Sequence, residues 1–274
     1  MSSPFAPMGS RCGLWLALSL ASAVLVGCAA SEKGSSRADD RPRSDAPPAA
    51  DVAEPPVTVA ASPDSADKEV DTQPRTVVPP GPDGSLFDGE TLTGWRVLRD
   101  KAYADAGRVY VQNRTIMLET GRMQTGIAWN GDFPRDHYEV SLEAMRVAGY
   151  DFFCGMTFTV GDEPCTLIIG GWGGSVVGLS NVDYMHAAEN VTTTGRSFEL
   201  GRWYRIRLRV TPERISAWID NDLVIDLLRA GHKFSVWWEQ ESVRPFGIGT
   251  WDTAAALRDI RLTDLTPNGT PASK

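Results

Sequence analysis

The chain is short of the residues that build metal and nucleophile centres: it has 3 His and 4 Cys in 274 residues. No Cys-x-x-Cys and no Cys/His cluster occurs, which argues against a structural zinc site. Positive charge is scarce too, with Lys+Arg 27 against Asp+Glu 35 and a net charge of −8. A nucleic-acid partner, which calls for a basic surface, is not expected. Gly-x-Ser-x-Gly and Gly-x-Gly-x-x-Gly are both missing from the region after residue 84. Neither a nucleophile elbow nor a phosphate-cradling loop is therefore expected there. One long apolar run exists, residues 14–26. As a helix it would rise about 20 Å, short of the roughly 30 Å hydrocarbon core, so it reads as the core of a signal peptide.

Residues 29–84 contain no Phe, Trp, Tyr, Leu, Ile or Met but hold 10 of the 18 prolines, with 11 Asp/Glu against 6 Lys/Arg. Such a stretch cannot bury enough apolar surface to offset its ordering entropy. The expected organisation is a signal peptide over 1–27, a disordered Pro-rich acidic tether over 28–84, a folded domain over 85–266 and a disordered tail over 267–274. The signal run ends in Leu25-Val26-Gly27-Cys28, which resembles a bacterial lipobox. That resemblance implies lipidation of Cys28 and a firm membrane anchor, because several acyl chains hold far better than one. The residue after Cys28 is Ala29, not the Asp that retains many such proteins at the inner membrane. An exported protein at the outer membrane or cell surface is expected.

Within 85–266, alternation with period two replaces helical periodicity. From Arg202 to Val210, Tyr204, Ile206, Leu208 and Val210 alternate with Trp203, Arg205, Arg207 and Arg209. This is a strand with one buried and one wet face. Arg214 to Asp220 reads the same way, and Asn221-Asp222 is read as the tight turn into the next strand. Further strands are expected near 94–98, 108–112, 115–119, 126–130, 137–146, 152–160, 165–170, 175–180, 246–251 and 256–264. About a dozen strands and no long helix make an all-β, two-sheet antiparallel sandwich. The pattern alone leaves a jelly roll and an immunoglobulin-like sandwich open, although no Cys-Trp-Cys framework is present. Cys154 and Cys165 are expected to be free and buried. A hairpin closed by Gly161-Asp162-Glu163-Pro164 sets their sulfurs about 17–20 Å apart, beyond bridging range.

Several segments resemble one family. They are Phe87-Asp88-Gly89 followed by Gly94-Trp95, Gly201-Arg202-Trp203-Tyr204, Asp220-Asn221-Asp222, Gly247-Ile248-Gly249, and Leu257-Arg258-Asp259-Ile260. Together they are similar to the 3-keto-disaccharide hydrolase-like domains over about residues 85–265. The resemblance implies a concanavalin A-like (laminin-G-like) jelly roll acting on sugars. The middle strands depart from that pattern. Met156-Thr157-Phe158 and Thr166-Leu167-Ile168 stand where the family carries Arg and Glu/Gln, so the groove is expected to be more apolar.

Sugar sites combine aromatic faces with acids or amides that take the hydroxyls. Trp172, set among glycines in Gly170-Gly171-Trp172-Gly173-Gly174, is a candidate stacking platform because bare backbone lets a ligand approach. Trp129, Trp251 and Asp151 are further substrate-binding candidates. Trp218, Trp237 and Trp238 are further candidates, with at most one of Trp237 and Trp238 expected at a site because neighbours on a strand face opposite ways. Trp95 and Trp203 are expected in the core, and the Arg205/Arg207/Arg209 row on an outer sheet face. The loop 181–190 gathers Asp183, His186 and Glu189, and with Asp252 these are the candidate catalytic residues.

The Glu-x-Asp-x-x-Glu strand of laminarinase-type enzymes is missing, which disfavours a two-carboxylate retaining glycosidase of that type. A 3-keto glycoside needs less help, because the ketone acidifies the neighbouring C–H and permits elimination. No cofactor is expected. Calcium at Asp162-Glu163 or Asp220-Asn221-Asp222 would need more oxygen ligands than are visible. The two resemblances together imply a membrane-anchored hydrolase of (3-keto-)glycosides; the departures in the middle strands motivate the alternative, a non-catalytic glycan-binding or cell-envelope module on the same fold. On the lipobox reading, Cys28→Ser moves the expressed protein from the detergent phase to the aqueous phase in a Triton X-114 partition and abolishes labelling by a radioactive fatty acid.

Overall fold

The computed structural model describes residues 79–267. The signal segment, Cys28, most of the acidic stretch and residues 268–274 lie outside the described residues. Fourteen strands are present among the described residues: β1 (Trp95–Val97), β2 (Val109–Gln112), β3 (Thr115–Leu118), β4 (Gln124–Trp129), β5 (Tyr138–Gly149), β6 (Cys154–Val160), β7 (Glu163–Gly171), β8 (Val176–Ser180), β9 (Thr194–Gly195), β10 (Trp203–Val210), β11 (Arg214–Ile219), β12 (Asp222–Leu228), β13 (Gly247–Trp251) and β14 (Thr253–Asp264). Two short 3-10 helices, Lys101–Tyr103 and Trp238–Val243, complete the set. The strands form two seven-stranded antiparallel sheets, β1-β4-β13-β6-β7-β8-β9 and β12-β11-β10-β5-β14-β3-β2. This is the all-β two-sheet antiparallel sandwich expected from the alternation, consistent with the jelly roll that the family resemblance implies.

Side chains from both inner faces meet in one apolar core. On β10, Tyr204, Ile206, Leu208 and Val210 are buried against β5 and β11 partners such as Leu142, Val140 and Ile219. The intervening arginines lie outside, where Arg207 and Arg209 both pair with Glu139 and flank the Trp218 ring. Trp203 departs from the expectation that it is core. It stands on the wet side of β10, half-buried, with the Arg258 guanidinium 4.1 Å from its ring centroid. Its parity with Arg205 decides this, and the cation supplies a cover that core packing would otherwise give.

Turn registers differ by one or two residues from the reading. Ile219 pairs with Asp222, so the β11–β12 turn is Asp220-Asn221, with Asp220 taking the positive φ of 57°. Val160 pairs with Glu163, leaving Gly161-Asp162 as a two-residue turn in which Gly161 has φ 63°. Strand β14 also begins earlier, at Thr253, and continues past an irregularity between Arg258 and Arg261 with Asp259 at φ 53°.

The tighter hairpin sets Cys165 opposite Phe158 and Cys154 opposite Ile169. Four positions along a strand is about 13 Å, still beyond disulfide reach. Both thiols are free and buried. Burial pushes the pKa of the Cys154 thiol up to about 12 and that of Cys165 further still. Neither is a thiolate near neutrality. At pH 8 the native protein should take up no iodoacetamide at either position, and both cysteines should be alkylated once it is unfolded in urea, as read by peptide mass.

Candidate functional site

Glycine shapes the outer face of the first sheet. Gly126 on β4, Gly249 on β13 and Gly155 on β6 are direct neighbours across three strands, and the row continues through Ile168 on β7 to Gly178 on β8. A methyl group added at Gly126 would fall 2.8 Å from the Tyr103 ring, and one at Gly155 would fall 2.8 Å from Phe152. One at Gly178 would reach the Ala187 carbonyl at 2.7 Å. The row therefore lets surrounding loops lie flat on the sheet. On the same face runs a second row: Ala128, Gly247, Thr157, Thr166 and Ser180. Thr157 and Thr166 share a hydrogen bond of 2.9 Å between their hydroxyls.

Over this floor lies a pocket of about 550 Å³. Thr166, Ile168, Ser180, Gln124 and Trp251 come from the sheet. Asp151 and Phe152 come from the approach to β6, Trp172 from the β7–β8 turn, and Trp237, Trp238, Glu239 and Gln240 from the start of the second 3-10 helix. Both Trp237 and Trp238 line it, because a 3-10 turn does not alternate neighbours between faces as a strand does. Four tryptophans in one small pocket, with oxygen-bearing side chains on floor and wall, suit a ring with apolar C–H faces and hydroxyl edges.

The loop that carries Trp172 is held from beneath by a buried cation. Arg146, on the inner face of β5, is 6% exposed and donates to the carbonyls of Gly170 at 3.2 Å and Gly174 at 2.9 Å. Its guanidinium also lies over Phe153 and Phe198. Burial pulls Arg146 down from its ordinary value, and the Asp151 charge opposes that shift. A methyl on Gly170 would fall 2.5 Å from the guanidinium, and Gly174 has φ 105°, so side chains are excluded at both places. Asp151 completes the clamp. Its oxygens accept the backbone N–H groups of Phe152 at 2.7 Å and Gly173 at 3.3 Å.

The candidate residues fall into separate places. Trp172, Trp251 and Asp151 line the pocket. Trp129 does not; it is 3% exposed, in the core, edge-on to Trp95 at 5.3 Å. Its strand position sets it on the inner face, paired with Trp95. His186 stacks on Trp172 with ring centroids 4.8 Å apart, and its Nε2 meets Glu189 Oε2 at 3.1 Å. This pair stands behind the platform, outside the pocket lining. Asp183 lies elsewhere: its carboxylate meets His232 Nδ1 at 2.7 Å and the Lys233 N–H at 2.9 Å, contacts that hold it below the usual carboxylate range. Asp252, at φ 40°, accepts the Met123 N–H at 3.1 Å and closes the junction of β13 and β14. The four acids and bases proposed from the sequence thus do not converge on one point.

The residues not singled out from the sequence are Gln124, Thr166, Ser180 and Gln240, together with Glu239 as a pocket acid. Strand glycines at 126, 155 and 249 are the signal that marks their face, since glycine inside a strand indicates close approach. The segments considered for calcium are occupied differently. Asp220 and Asp222 bind Arg196, Asp220 also binds Arg202, and Asp162 binds Arg135. Among the described residues, no group of three or more His, Cys, Asp or Glu is arranged to hold a metal ion.

Sandwich and pocket together define a jelly-roll domain with an aromatic-walled pocket of about 550 Å³ on one sheet. The chain belongs to the 3-keto-alpha-glucoside-1,2-lyase-like domain family, a carbohydrate-active family whose model matches residues 83–263. No curated protein matches the chain in sequence. Similar solved structures include the carbohydrate-binding module CBM66 from Bacillus subtilis, with 12% identity, covering 62% of this chain and 96% of that one, TM-score 0.41. The Crh5 transglycosylase in complex with NAG has 12% identity, covering 65% and 82%, TM-score 0.48. The carbohydrate recognition domain of Emp46p in its potassium-bound form has 11% identity, covering 64% and 91%, TM-score 0.42.

Replacing Arg146 by Ala strands two carbonyls that now accept from a charged donor, each such bond contributing about 1.5–3 kcal/mol before the cation's desolvation is offset. Urea unfolding should show a loss of about 2–4 kcal/mol for Arg146→Ala. The tryptophan emission of the folded variant should shift to the red as the Trp172 loop loosens.

Proposed function

We propose that this protein binds a glycan in the tryptophan-walled pocket and cleaves 3-keto-glycosides there. Family membership supports the substrate class, and the observation that carries the reading is the pocket itself: four tryptophans around a floor bearing Thr166, Ser180 and Gln124. The chemistry is elimination followed by hydration. A base removes the proton on C2, acidified by the C3 ketone, and the C–H electron pair forms an enolate. Collapse of the enolate makes the C1–C2 double bond and expels the C1 oxygen with its bonding pair, and that oxygen is then protonated. Water added across the double bond gives the hydrolysis product. A substrate ring lying against the aromatic walls displaces water from them, which strengthens the polar contacts to the developing enolate.

The place of action is proposed as a membrane surface facing outward, with lipid on Cys28 and the acidic stretch as a spacer. About 55 Pro-rich residues give reach from a bilayer to a neighbouring glycan layer. A second reading, a glycan-binding module without turnover, is favoured by the scarcity of carboxylates in the pocket: among the described residues only Asp151 and Glu239 line it.

A panel of 3-keto-disaccharides and their unoxidised parents separates the two. The expected outcome is release of free sugar from the keto forms alone. Trp172→Ala should weaken saturable binding of either form by about tenfold, in line with an aromatic contact of about 1–1.5 kcal/mol. Binding without release from any keto form would instead make the protein a lectin-like module.

A further inference from the structure

We infer that Glu239 is the proton-abstracting base of the pocket, with Gln240 holding a neighbouring hydroxyl of the sugar; this rests on the elimination reading above. The other candidate carboxylates are already engaged elsewhere. Asp151 has both oxygens committed to backbone N–H groups and thereby holds the Trp172 loop. Asp183, Glu189 and Asp252 are bound to His232, His186 and the Met123 N–H, and none of them lines the pocket. Glu239 lines it, and its Oε2 is buried without a hydrogen-bond partner.

One more oxygen of the pocket-lining residues is unpartnered, and a second lies in the buried layer behind them, outside the lining. Gln240 is 7% exposed; its Nε2 donates to Gln124 Oε1 at 3.2 Å while its own Oε1 has no donor. Tyr103 is fully buried with its hydroxyl unbonded, and it lies on the glycine row. A methyl on Gly249 would be 2.8 Å from that hydroxyl and 3.5 Å from Gln124 Oε1. Burial, with the charges of Asp100 and Glu239 nearby, raises the phenol so that it stays protonated. A native fold rarely leaves buried polar atoms unpaired, and two on adjacent residues of one cavity wall mark a place where a ligand completes the bonding. The unmet needs of the lining are the two acceptors Glu239 Oε2 and Gln240 Oε1, which the hydroxyls of a sugar ring satisfy and an apolar ligand does not.

In the step assigned to Glu239, its carboxylate takes the C2 proton and becomes the neutral acid. The C–H pair passes through the enolate to the C1–C2 double bond, and the C1–O bond breaks with its pair on the leaving oxygen. That oxygen takes a proton from water, and Glu239 returns its own to solvent, so charge and atoms balance.

The test uses the full-length protein, its Glu239→Gln variant and a 3-keto-disaccharide in D2O. Three quantities are read: sugar release, deuterium uptake at C2, and affinity for the unoxidised disaccharide by tryptophan quenching. The expected result is a fall of about 100-fold or more in kcat and in exchange, the range for loss of a general base, with affinity held within about threefold. Glu239→Ala should be equally slow and should recover part of its rate in added formate. An active wild type with an equally active Glu239→Gln overturns the assignment of the base and leaves the elimination reading standing. A wild type that binds the keto sugar but shows neither release nor exchange overturns both.

Discussion

The site depends on how closely other parts of the chain can approach one sheet. Across β4, β13 and β6 the outward positions are Gly126, Gly249 and Gly155, and the space they leave is taken by Tyr103 and Phe152. A β-sheet normally presents a layer of side chains about as thick as the groups that cover it. Removing that layer from three adjoining strands brings the covering segments down to backbone level and sets the depth of the pocket. The second 3-10 helix follows the same rule at its far end, where a methyl on Gly247 would fall 2.6 Å from Val243. Pocket, platform and wall are thus positioned by absent side chains as much as by present ones.

Against this permissive floor stands one rigid support. Arg146 faces inward from β5, a position where alternation calls for an apolar residue, and it spends its charge on the carbonyls of Gly170 and Gly174. A guanidinium suits this place because its planar fork can serve several acceptors while its face packs on aromatic rings, as it does on Phe153 and Phe198. The cation is insulated from solvent, so its bonds to the loop are little screened. Trp172 can consequently be 45% exposed and still be held in place, with His186 stacked against it.

Much of the sandwich was legible because strand parity is a local property. The β10 alternation from Tyr204 to Val210 identified the buried face residue by residue, and the Arg207 and Arg209 side chains lie on the opposite face, as that parity requires. Trp203 shows the limit of composition as a guide: parity put it outside, while its size suggested the core. Turn registers were less legible, since Gly161-Asp162 and Asp220-Asn221 depend on which residue takes a positive φ. The site was only half legible. Trp172 announced itself through its glycines, but Gln124 and Gln240 meet across 116 residues of sequence, and no local pattern links them. Grouping Asp183, His186 and Glu189 by proximity in the chain holds for the His186–Glu189 pair and not for Asp183. The loop sends Asp183 to His232 and His186 to Trp172.

The order of strands has a consequence for how the domain comes into being. Strand β14, the last of the described strands, is not at an edge; it lies between β5 and β3 in the middle of its sheet and pairs with β5 along most of its length. Strand β1, the first, is at an edge. The second sheet cannot close until residues 253–264 are available, so the nascent chain has no complete sandwich to fold into before its final segment emerges. Contacts of such long sequence separation also make closure slow. The domain is therefore sensitive at its C-terminal side, where a short truncation removes an interior strand and with it the partner of residues 84–86, whose Leu86 lies in the core and donates its N–H to the Ile260 carbonyl.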